Sequence, residues 1–337
     1  MQGSRRSVTS AEHLFFFLRR TRYWSVLAGV LALLTASARA NDEATRVALD
    51  QRYVTGQFRI YYTREGAHAF TGQVPGAMSS EALVRQLGWQ LQRGERFYRE
   101  VIGLDSPLTS SRFNSVGAVD VHVLDMGEKL NGTASRVVRN YRYTHFHDPL
   151  PTLTITLARH WKPGNLTPEH EVFHLYQYGY TDFGNPWFFE GLALSLGGAF
   201  DPRGYQTAPL PRTIDEFRQL EARGSAASSF WSSVLLKCEP KCSVTWQGDR
   251  YTPTMGICGR GFIRAFFEEL SKAGEKLAQH RGINAAHWPT RERRSAENHR
   301  WLYRGMARAI EQHCPIAEDT ELDIFHSLLM QQSQPDA

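Results

Sequence analysis

An α+β fold is predicted by two observations: strand-like segments are confined to the first half of the 337-residue chain, and helical periodicity takes over from about residue 213. The first forty residues stand apart from this pattern. Arg19-Arg20-Thr21-Arg22 precedes an apolar run from Tyr23 to about Ala36, and Ala38-Arg39-Ala40 places small residues where a signal peptidase reads. The run is short for a bilayer span, so residues 1–40 read as a cleaved export signal, with an uncleaved anchor as the competing reading. Two arginine pairs, Arg5-Arg6 and Arg19-Arg20, leave twin-arginine export open.

Phe58 to Thr63, aromatic and β-branched, reads as the first strand. Glu81 to Ile102 follows as an amphipathic helix, with Leu83, Leu87, Leu91, Phe97 and Val101 near helical spacing. Val119–Leu124 alternates and forms a second strand, with His122 expected on its solvated face. Pro151 to Leu157, with Thr152, Thr154 and Thr156 alternating against Leu153, Ile155 and Leu157, is the third strand. Thr167-Pro168 and Asn185-Pro186 each mark a helix start. Glycines 191, 197, 198 and 204 with Pro202 place a boundary near residues 197–212, which separates residues 41–205 from a mainly helical subdomain, 206–330. Ile214–Ala222, Gly259–Ala278 and Asn298–His313 are its clearest helices, and 331–337 reads as a disordered tail.

The helix that starts at Thr167 carries the most informative residues. His170-Glu171-Val172-Phe173-His174 puts two imidazoles four residues apart on one helical face, so both reach one ion. Glu171 is then held beside that ion, where a carboxylate takes a proton from water. Glu190, in Trp187-Phe188-Phe189-Glu190-Gly191-Leu192-Ala193, falls in the first two turns of the next helix and completes a His2Glu set that leaves a zinc coordination position open. The competing third ligand is Asp182 in Thr181-Asp182-Phe183-Gly184, which otherwise reads as a turn residue. One zinc ion per chain is expected.

His-Glu-Val-Phe-His together with Asn185-Pro186-Trp187-Phe188-Phe189-Glu190-Gly191-Leu192-Ala193 resembles the gluzincin branch of the HExxH peptidases, in particular the peptidase MA-like proteins. The resemblance spans roughly residues 165–198. It implies a zincin-like fold (a twisted mixed sheet plus an active-site helix), zinc held by His170, His174 and Glu190, Glu171 as general base in peptide hydrolysis, and Thr152–Leu157 as the edge strand along which an extended substrate pairs. Gln177 and Tyr180 occupy the positions where metzincins carry Gly and His, which excludes that class, and Leu194 stands where a thermolysin-like spacing would place the glutamate. Leu194 also occupies the position, four after Glu190, where thermolysin-like enzymes keep an aspartate behind the ligands. That departure keeps two alternatives open: a zinc-binding pseudo-peptidase with a structural or partner-binding role, and a zinc amidase acting on cell-wall material.

Charge excludes one class of partner. Six of the 39 basic and one of the 34 acidic residues lie in the first forty, which leaves 33 of each and no basic surplus for nucleic acid. The expected partner is a peptide or protein substrate, with no stable membrane insertion of the mature chain. Four cysteines, Cys238, Cys242, Cys258 and Cys314, read as two disulfides in a periplasmic or extracellular protein. Cys238–Cys242 closing a small loop and Cys258–Cys314 is one pairing among three; a four-cysteine zinc site competes. His145 and His147 read as an exposed loop and His160 as approaching the cleft, and the resemblance implies Tyr251 as a candidate oxyanion donor. Asn131-Gly132-Thr133 and Asn165-Leu166-Thr167 are glycosylation sequons if the source modifies exported proteins.

Overall fold

In the computed structural model the described residues are 42–71, 78–113, 115–201, 204–242, 244–246 and 255–334. Five strands form one mixed sheet in the order β1-β2-β3-β5-β4: β1 (Gln51–Thr55), β2 (Phe58–Tyr62), β3 (Ala118–Leu124), β4 (Gly132–Arg139) and β5 (Thr152–Ala158). β1 and β2 form a hairpin whose turn holds Gly56 at φ +55°, a left-handed value that favours glycine. β2, β3 and β5 run parallel, and β4 lies antiparallel to β5 at the edge. Helix α1 (Ser80–Arg96) makes the crossover from β2 to β3.

Three sequence expectations change here. β5 is not the edge strand: it pairs with β3 on one side and β4 on the other, and the half-exposed β4 takes the edge. The chain leaves β3, runs outward to β4 and returns between them, an order that strand patterning does not encode. His122 is fully buried, although alternation pointed it to solvent. Both faces of β3 are covered, and the His122 ring stacks on Tyr61 and meets Tyr141 edge-on. The amphipathic helix ends at Arg96, and Phe97–Val101 is a π-helical turn that brings the neighbours Phe97 and Tyr98 both into the core.

One face of the sheet packs on helices. Phe58, Ile60, Val119, Val121, Leu153 and Ile155 share a core with Leu83, Leu87 and Leu91 of α1 and with Val172 and Phe173 of α2 (Thr167–Tyr180). Behind it follow α3 (Pro186–Gly197), α4 (Ile214–Ala222), α5 (Ser228–Cys238), α6 (Arg260–Arg281), α7 (His299–His313) and α8 (Thr320–Gln332). The sequence reading missed α5 and α8, and the helix through Gln332 overlaps the expected tail. α5 is apolar with small serines on most sides, so it lacks the one-sided stripe that marks a surface helix. Aromatic rings fill the joint between α3 and this group: Trp187 stacks on Trp231 at 5.6 Å and 6°, and Trp231 Nε1 donates to the Trp187 carbonyl at 2.7 Å.

The five-stranded sheet and the helices named above belong to one compact unit, made of the described residues from Asp50 to Tyr141 and from Asp148 onward; the described residues up to Leu49 with Arg142–His147 form a second, small one. No helix among the described residues is long and apolar enough to cross a membrane. Two disulfides are present, Cys238–Cys314 and Cys242–Cys258. The pairing differs from the short-loop expectation because β6 (Val244–Trp246) and β7 (Met255–Ile257) form a hairpin in which Val244 faces Ile257, so the flanking Cys242 and Cys258 meet. Cys238, at the end of α5, then turns to the end of α7. Two disulfides fit an oxidising compartment. Residues 1–40 and 335–337 lie outside the described residues.

Candidate metal centre

Helix α2 is anchored at its start. Asn165 Oδ1 accepts from the backbone N–H of Thr167 at 2.9 Å and from its hydroxyl at 2.6 Å, a local cap that lets the helix begin at Thr167 with Pro168 in its first turn. On the side facing α1, Glu169 is fully buried; it pairs with Arg93 and accepts from Gln90 Nε2 at 3.0 and 2.9 Å. Burial raises the Glu169 carboxyl, and Arg93 opposes the rise. This pair helps fix α2 in rotation, and the face that follows Glu169 around the helix presents His170 and His174.

Those two histidines and Glu190 converge. Nε2 of His170 lies 2.9 Å from Nε2 of His174, and each is 3.3 Å from Glu190 Oε2. A tetrahedral ion with bonds of about 2.0–2.1 Å has donors about 3.3 Å apart, which the two histidine–glutamate separations match, while the two histidines stand closer at 2.9 Å. The chemistry fits as well, since two nitrogens and one carboxylate oxygen are the donors zinc takes, and among the described residues this is the one group of three that could hold a metal. His174 is buried and lies flat on the Phe189 ring, 4.3 Å away at 2°. Burial alone would raise the Glu190 carboxyl, but His170 and His174 in their protonated forms, donating to it, outweigh burial and hold it well below the usual range.

Glu171 occupies the next position around the helix, against the edge strand. Its carboxylate accepts from the backbone N–H of Ala134 on β4, while its buried Oε2 has no partner among the described residues. Burial pushes this carboxyl up to about 7, with His170 pulling it down and Glu190 pushing it up. A cavity of about 650 Å³ opens here, bordered by Gly132, Thr167, His170, Glu171, Leu194 and Ser195 and continuing to Tyr205. Gly132 is a close approach: a Cβ there would come within 2.6 Å of Thr167 Cγ2 and 3.0 Å of Glu171 Oε1. Gly132→Ala is therefore expected to leave His170, His174 and Glu190 in place but displace the Glu171 carboxylate. An unchanged Glu171 carboxyl 13C shift in the variant would contradict it.

No family model, curated protein or solved structure matches the chain. The site rests on its own geometry.

Asp182, the competing third ligand, is buried in a cage of arginines. Arg112 reaches it at 2.8 Å, Arg136 of β4 at 2.9 Å and Arg293 at 3.5 Å, and the Trp288 N–H donates at 2.9 Å. It ties the loop between the two donor helices to the edge strand and to residues 285–293. Leu194 is 48% exposed at the cavity rim and supports no ligand. His145 and His147 are exposed and belong to no metal cluster among the described residues. His160 reaches the rim through Asn131, 3.4 Å away. Asn131 and Asn165 of the two sequons both line the cavity. Tyr251 lies outside the described residues. Sequence reading missed Gln177, whose Oε1 is 2.7 Å from His174 Nδ1, although its position one turn after His174 on the same face is visible in the chain.

Proposed function

We propose that the chain is an exported zinc metallopeptidase, in which His170, His174 and Glu190 hold the ion and Glu171 serves as general base. The observation that carries this reading is the convergence of three zinc-type donors beside a buried carboxylate with one unpartnered oxygen. Zinc, when bound, supplies Lewis acidity that polarises a carbonyl and lowers the pKa of water toward about 7. The protein's own part is proton handling and alignment. Glu171, steadied by the Ala134 N–H, accepts a proton at its free Oε2 and returns it to the leaving amine. β4 lies at the edge of the sheet beside Glu171, where its outward backbone groups suit an extended peptide added as a further strand. Apolar walls at Leu166 and Leu194 and the hydroxyls of Ser195 and Ser228 line the space beyond.

Export is supported by the two disulfides. Cleavage of a mixed peptide library, abolished by a chelator and restored by added zinc, is the expected result. Zinc uptake with no cleavage of any peptide would replace the peptidase with a zinc-binding module.

A further inference from the structure

Gln177 stands at the junction of the two donor helices. It is fully buried on α2. Its Nε2 lies 3.0 Å from the carbonyl oxygen of Phe189, the residue before Glu190. A backbone carbonyl only accepts, so the atom facing it is the amide nitrogen, and the amide oxygen is left toward His174 Nδ1 at 2.7 Å. That oxygen also only accepts. His174 Nδ1 must then carry the ring hydrogen, and in the neutral imidazole Nε2 is a bare lone pair directed at His170 and Glu190. A carbonyl on the helix of one donor thus sets the tautomer of another.

The same bonds restrain geometry. Phe189 is held to Gln177 through its carbonyl while its ring lies flat on His174, so the first turn of α3 and the His174 ring are locked together. The one carboxylate on α3 is Glu190 itself, which faces His174 Nε2, and Leu194 occupies the position one turn beyond it, so Nδ1 is met by Gln177 instead. His170 has no comparable support, since its buried Nδ1 has no partner among the described residues.

We propose that Gln177 is the positioning residue of this centre: it fixes the tautomer of His174 and couples it to the helix that delivers Glu190. The inference rests on the metal-binding reading above. The test uses the full chain and its Gln177→Met and Gln177→Glu variants, with three readouts: histidine 15N shifts of the metal-free protein, zinc affinity by competition with a chromogenic chelator, and the visible spectrum of the cobalt(II) form. The His174 signal, identified by its loss in His174→Ala, is expected to report the Nδ1–H tautomer in the parent. Gln177→Met should release that tautomer, weaken zinc roughly 10- to 100-fold and change the cobalt spectrum. Gln177→Glu retains an acceptor for Nδ1–H, so it should retain the tautomer and bind zinc within about tenfold of the parent. Zinc affinity of Gln177→Met within twofold of a zinc-binding parent overturns the positioning role alone. If the methionine variant does not fold, an Nε2–H tautomer in Gln177→Glu overturns it equally. A parent that takes up no zinc overturns the metal reading, and the positioning role with it.

Discussion

Glu171→Gln is expected to retain its zinc and lose about 10²–10⁴-fold in turnover, the range that a positioned general base contributes. The amide has nearly the shape of the carboxylate but cannot accept the proton at the position of Oε2. The same variant carries an opposite expectation for stability. Burial raises the Glu171 carboxyl from 4.5 to about 7 in the metal-free chain, so the folded state prefers it protonated. A raised carboxyl contributes no penalty below the unfolded value, near 4.5, and an increasing one as pH rises through about 7. At pH 8 the metal-free glutamine variant should therefore exceed its metal-free parent in stability, by up to about 3 kcal/mol, with the gain vanishing near pH 4.5. Denaturant titrations of both chains at the two pH values check this. Equal stability at pH 8 would show that the carboxylate is better solvated than its burial implies, and undiminished turnover would remove Glu171 from the mechanism.

Asp182→Ala is the largest structural effect expected. It strips the shared partner from Arg112, Arg136 and Arg293, whose side chains are only 14%, 12% and 12% exposed. Removing one member of a buried charge cluster costs about 3–5 kcal/mol, because the remaining charges stay desolvated and unpaired. A fall in Tm on the order of 10 °C should follow. The loss should also reach the metal centre, because Asp182 fixes the loop between His174 and Glu190. Asp182→Asn, which still accepts from one arginine and the Trp288 N–H, should fall in between. A Tm within about 2 °C of the parent in the alanine variant would mean that the arginines find other partners.

What sequence could tell about this molecule follows from which forces act locally. The donor helices were legible because their signals are short-range: Thr167-Pro168 and Asn185-Pro186 mark starts, and a four-residue spacing fixes the relation of His170 to His174. Glu190 was legible for the same reason. Strand order was not. β4 and β5 are adjacent in sequence and in the sheet, but that β5 inserts between β3 and β4 is decided by long-range packing, and so the expected sheet edge falls on β4 rather than on β5. His122 shows the same limit, since period-two alternation separates two faces without saying whether both are covered. The arginine cage of Asp182 draws on residues 112, 136 and 293, far apart in the chain, and a lone aspartate in a turn carries no mark of it.

Metal content of the full chain and of its Glu190→Ala variant, each measured by mass spectrometry after dialysis against zinc-containing and then metal-free buffer, tests the central claim most directly. One zinc per parent chain and a large loss in the variant is the predicted result. A parent without zinc, or a variant that holds it as firmly as the parent, would contradict the assignment of His170, His174 and Glu190 as a metal centre.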